Sequence, residues 1–90
     1  MAASGSASHH RPIIRDLRFE PEALALSPGD SVTWTNGDLV PHAVTAADGR
    51  WDSGELAPGE AWTVVVGREG TVGYPCRYHP TMRGALDVRP

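Results

Sequence analysis

From Ile13 onward the chain consists of short runs in which apolar and polar residues alternate, each closed by turn residues. Period-two patterning interrupted roughly every eight to twelve positions predicts strands. The predicted strands are Ile13–Glu20, alternating around Leu17 and Phe19; Glu22–Ser27, around Leu24 and Leu26 and stopped by Pro28-Gly29-Asp30; and Ser31–Asn36, with Val32 and Trp34 on one face. They continue with His42–Ala46, ended by Asp48-Gly49; Glu60–Val66, where Trp62, Val64 and Val66 share a face; Thr71–Cys76; and Gly84–Val88, with Leu86 and Val88 inward. The only helical turn the pattern allows is at Ser53–Ala57, and there is no internal repeat. About seven to eight short strands with Pro and Gly corners predict an all-β fold, a two-sheet antiparallel β-sandwich.

Residues Met1–Pro12 are different. They are small and polar, offer nothing to bury, and lack the apolar stretch of a signal peptide. The expectation is a disordered leader over 1–12 and one domain over 13–90. His9 and His10 then read as solvated tail residues, with a weak second metal site as the lesser alternative.

Composition narrows the classes further. Ninety residues suit one small domain. Ten Gly and eight Pro argue against a helical bundle. A net charge of −3 argues against general nucleic-acid binding, and no apolar run reaches the roughly 18 residues of a membrane span. All eight cationic residues are arginine, which reads as base composition. The single cysteine excludes an internal disulfide, so a core this small invites another staple, such as a metal.

The chemistry gathers around that cysteine. Cys76 is followed at steps of three by His79 and Met82, and Pro41-His42 lies upstream. A tight loop after a strand ending at Cys76 would turn thiolate, imidazole and thioether toward one point. Pro80 stiffens that loop, and Gly84 lets the chain re-enter a strand. Thiolate with thioether favours copper, and one Cys with two His in a trigonal set plus a weak axial Met is the blue-copper arrangement. Structural zinc more usually takes two or more cysteines.

On Val32-Thr33-Trp34-Thr35-Asn36, Val40-Pro41-His42, Asp52-Ser53-Gly54 and the Cys76–Gly84 loop, the stretch Ile13–Val88 resembles the cupredoxins of the plastocyanin and amicyanin type. The Cys-x-x-His-x-x-Met spacing is most similar to amicyanin. The resemblance implies a Greek-key sandwich and one type 1 copper ion held by His42, Cys76, His79 and Met82, cycling between Cu(I) and Cu(II). Asn36 would tie the upstream ligand loop to backbone beside the cysteine, with Pro41 and Pro80 supporting the ligands. It implies a monomeric electron carrier outside the cytoplasm or in the periplasm, with an anchor in a longer form left open. A redox protein would dock at the His79 end, on Tyr78, Thr81, Arg77 and Arg83, and the two arginines suggest a partner with an acidic rim. Ala43, Pro75, Arg77 and Tyr78 depart from the family pattern. An enzyme needs an open coordination position, and this ligand set leaves none. A copper carrier or chaperone using the same ligands is the rival reading.

Overall fold

The computed structural model describes residues 7–76, 79 and 81–90. Among them, eight strands follow in chain order: β1 (His9–His10), β2 (Ile13–Arg15), β3 (Arg18–Glu20), β4 (Ala23–Leu26), β5 (Ser31–Asn36), β6 (Ala61–Val65), β7 (Gly70–Pro75) and β8 (Arg83–Val88). They form two sheets, and no helix occurs among the described residues. In the first sheet β5 is central, with β6 antiparallel along one side and Trp34 opposite Trp62. The other side is shared: β1 pairs with Ser31 and Val32, β2 with Thr35 and Asn36, and β3 flanks β2. The second sheet runs β4, β8, β7.

Residue type explains why β5 is the axis. Its Val, Thr and Trp residues suit a pleated surface, and alternation sends Val32, Trp34 and Asn36 inward. On the opposite face the Thr33 hydroxyl meets the Thr63 hydroxyl across the ladder at 2.7 Å and the His9 Nε2 at 2.7 Å. The core between the sheets gathers Ile14, Phe19, Leu26, Val32, Trp34, Val72, Leu86 and Val88 from both.

The all-β sandwich predicted by the pattern is present, but its pairing is mixed. β1 and β2 run parallel to β5, and β4 runs parallel to β8. After β3 the chain crosses to the other sheet, so spatial neighbours are not sequence neighbours. The predicted strand Ile13–Glu20 is a hairpin instead: Asp16 and Leu17 take positive φ (53° and 58°), closing a two-residue loop between β2 and β3. Leu17 is therefore 50% exposed rather than inward. His42–Ala46 forms no strand; single bridges join His42 to Leu56 and Thr45 to Asp52. Ser53–Ala57 makes no helical turn, because the Ser53 hydroxyl instead accepts the Val44 amide (2.8 Å) and donates to the Gly54 carbonyl (2.7 Å). Residues 7–12, expected in the leader, pack against the domain: Ser31 N–H donates to Ser8 O at 3.0 Å, and Pro12 is fully buried. His9 and His10 sit on successive positions of β1, one bonded to Thr33 and the other to Asp30, so they share no site.

Gly84 does more than ease the chain into β8. It pairs with Tyr74, and the buried Tyr74 ring fills the space that a side chain at position 84 would need. A Cβ there would fall 2.2–2.4 Å from ring atoms, which a packed core cannot absorb without displacement. Gly84→Ala is expected to lose about 1–3 kcal/mol of stability, measured by chemical denaturation of the metal-free protein.

Asp30 anchors the opposite end. Its carboxylate accepts the Ser27 amide (3.0 Å), His10 Nε2 (2.9 Å) and the Ser8 amide (2.9 Å). The Ser27 amide first, then His10 and Ser8, bring its pKa down to about 2 against the effect of burial. A carboxyl depressed on folding stabilises fully above its ordinary value of 3.8, and that contribution is lost as pH falls toward 2. Urea denaturation across this range is expected to show Asp30→Asn with a shallower loss of stability than the parent.

Candidate metal centre

His42 lies in the segment 37–60, which joins β5 to β6 without a regular strand. A buried loop must still satisfy its backbone. It does so through reciprocal bonds, His42 N–H to Leu56 O (3.0 Å) and Leu56 N–H to His42 O (2.7 Å). Asn36, at the end of β5, donates its side-chain amide to Val40 O and Leu56 O, both at 2.9 Å, and accepts the Asp38 amide at 2.9 Å. It thus ties the two limbs of the His42 segment together.

Cys76 and Met82 are the first residues past the β7–β8 ladder. Pro75 pairs with Arg83, and the next step is Cys76 N–H to Met82 O at 2.9 Å. Pro75 is tolerated because β7 is the edge strand of its sheet. Each three-residue step is closed by backbone: His79 N–H reaches Cys76 O at 3.3 Å, and Met82 N–H reaches His79 O at 2.8 Å. The spacing read from the sequence is the spacing of these bonds.

At this end Cys76 Sγ stands 3.6 Å from His42 Nδ1 and 3.9 Å from His79 Nδ1. The three donor atoms lie within 4.8 Å of one another, and the imidazole rings are 4.9 Å apart between centroids. An ion bound at about 2.0–2.1 Å from nitrogen and about 2.3 Å from thiolate sulfur would set S and N about 3.8 Å apart at a trigonal angle. The donors fit a single ion of that size.

Tautomers are set by the surroundings. His42 is fully buried, and its Nε2 lies 2.8 Å from Asp38 Oδ2. An ionised carboxylate only accepts, so Nε2 carries the hydrogen and Nδ1 is left facing Cys76. Burial raises the Asp38 pKa, but the Leu17 amide, His42 and the Asp16 amide outweigh it and hold the carboxyl below its ordinary value.

The structure thus brings together His42, Cys76 and His79. Met82 is buried in the same core cluster as Cys76. Pro41 and Thr81 are exposed, as is Arg83; Arg77, Tyr78 and Pro80 lie outside the described residues. Sequence reasoning missed Asp38, whose only signal is an acidic residue four positions before a ligand histidine. It also missed exposed Leu39 (94%) and Val40.

A two-sheet sandwich with a Cys-His-His donor set gathered at one end defines a cupredoxin. The chain belongs to the plastocyanin/azurin family of copper-binding proteins, whose pattern matches residues 10–89. It is similar to the chloroplastic plastocyanin of Tetradesmus obliquus, 38% identical over 74 residues, covering 70% of this chain and 51% of that one. To amicyanin of Paracoccus denitrificans it is 31% identical over 80 residues, covering 83% of this chain and 61% of that one. The chain therefore spans only about half to three-fifths of these relatives' lengths. A solved purple cupredoxin from Nitrosopumilus maritimus superposes with a TM-score of 0.81 at 29% identity, over 89% of this chain and 99% of that one. Family and donor set agree on one copper ion.

Proposed function

We propose that this domain is a blue-copper electron carrier, in which His42, Cys76 and His79 would hold the copper and Met82 would serve as a fourth, weaker donor. The observation that carries the reading is the pre-arranged trio: one thiol and two imidazole nitrogens already at ligand spacing. Bound there, copper supplies a one-electron Cu(I)/Cu(II) couple. The protein's part is to keep the donors from rearranging between the two states. His42 is fixed by Leu56 and Asp38, while Cys76, His79 and Met82 are fixed by the closed backbone steps of their loop.

Burial supports this reading over copper delivery and over catalysis. Cys76 is 1% exposed and His42 is fully buried. Ligand exchange with a receiving protein, or substrate entry to an open position, would need these groups in reach of solvent. Electrons need only a thin edge, and His79 is the half-buried member of the trio. Around this end Leu17, Leu39 and Val40 line one shallow cleft, and Leu17 also lines the next cleft with Thr81, Met82 and Arg83. We place the docking of a redox partner on the mixed rim that Leu17, Leu39 and Val40 share with Thr81 and Arg83, with Tyr78 and Arg77 as sequence-based members. An acidic partner rim would meet Arg83 and Arg77. Residence outside the cytoplasm or in the periplasm, and a monomeric state, follow from the same family reading.

Adding Cu(II) to the purified protein should produce an intense visible thiolate-to-copper band and a reversible one-electron wave in voltammetry. Cys76→Ser should abolish the band. Retention of unaltered colour by Cys76→Ser would refute the proposal.

A further inference from the structure

Asp38 belongs to none of the motifs, yet its carboxylate meets three donors, two from the distant β2–β3 turn and one from His42, four residues on. Oδ1 accepts the Asp16 amide at 2.6 Å, and Oδ2 accepts the Leu17 amide at 3.0 Å and His42 Nε2 at 2.8 Å. Asp16 and Leu17 are the central residues of the β2–β3 turn, and both hold positive φ. Such a turn ordinarily draws Asn-Gly, because left-handed backbone is unfavourable for other L-residues. Here neither residue is Asn or Gly, and the carboxylate supplies what the turn sequence lacks by accepting both amides. The Asp38 amide is held in turn by Asn36 Oδ1 at 2.9 Å. The carboxylate is thus clamped from two sides before it reaches the imidazole.

We propose that Asp38 is a positioning residue that fixes the ring of His42 from the β2–β3 turn and whose charge biases the site toward the oxidised metal. Two consequences follow from the chemistry. Acceptance of Nε2–H by an anion locks one tautomer and makes Nδ1 a more basic donor. A more basic nitrogen favours Cu(II), the harder state, over Cu(I), which softer donors favour. The proposal rests on the metal reading above, but its geometric half concerns the ring alone and is readable without metal.

The test uses four proteins: the parent, Asp38→Asn, Asp16→Asn with Leu17→Gly in the Asp38→Asn background, and Asp38→Ala. In the metal-free parent at fixed pH, ring ¹⁵N shifts should show His42 as the single Nε2–H tautomer, and Asp38→Ala should mix the two. In the copper-loaded proteins Asp38→Asn should weaken Cu(II) relative to Cu(I) by about tenfold, the low end of effects at such positions. That ratio is a rise in reduction potential of about 60 mV for a one-electron couple. The Asn-Gly turn should restore the stability lost in Asp38→Asn while leaving the potential raised. A mixed tautomer in the metal-free parent would overturn the proposal whatever copper does. So would an unshifted potential in Asp38→Asn, or one that returns to the parent value once the turn is repaired; either makes Asp38 a hairpin staple alone. Absence of the visible band in the parent would instead strike at the metal reading.

Discussion

An imidazole withdrawn from water must have both ring nitrogens satisfied, and that requirement organises one end of this molecule around His42. One nitrogen is taken by Asp38, so the other faces the sulfur of Cys76 3.6 Å away. A thiol is a weak partner for a buried imidazole; a metal ion between them is a strong one. The polar network that surrounds the ring, Asn36 to Asp38 to His42, is fully connected through bonds of 2.8–2.9 Å. Low local dielectric makes a network of this kind rigid when complete. The fold has therefore placed a costly polar cluster where a ligand can complete it.

The rest of the sandwich supports that placement. His42 arrives from the segment following β5, and Cys76 arrives from the end of β7, so the site sits where the two sheets meet. Its floor is aromatic: Tyr74 packs edge-on against both Phe19 (4.8 Å) and Trp34 (5.2 Å). These contacts join β3, β5 and β7 beneath the ligands. Rings in such edge arrangements are stiff, area-rich fillers, which suits a centre whose donors must hold still while charge changes.

Much of this was legible in the sequence, for identifiable reasons. Alternation in Ser31–Asn36 and Gly84–Val88 marks strands that bury one face only. The Cys76, His79, Met82 spacing mirrors backbone bonds made at the same steps. What escaped depends on long-range pairing. The Asp16-Leu17 turn carries no Gly or Asn, and its acceptor lies more than twenty residues away in Asp38. The parallel pairings of β1, β2 and β4 are invisible to local pattern, because alternation says which face is buried and nothing about the neighbour's direction. His42–Ala46 alternates like a strand, but its backbone is satisfied by an irregular segment rather than by a sheet. The packing role of Gly84 required knowing that Tyr74 lies opposite it.

His42, Cys76 and His79 are preset to receive one copper ion. X-ray absorption at the copper edge of the Cu(II)-loaded protein should then show an inner shell of one sulfur and two imidazole nitrogens, with no bound water. A shell of oxygen and nitrogen lacking the sulfur would contradict it.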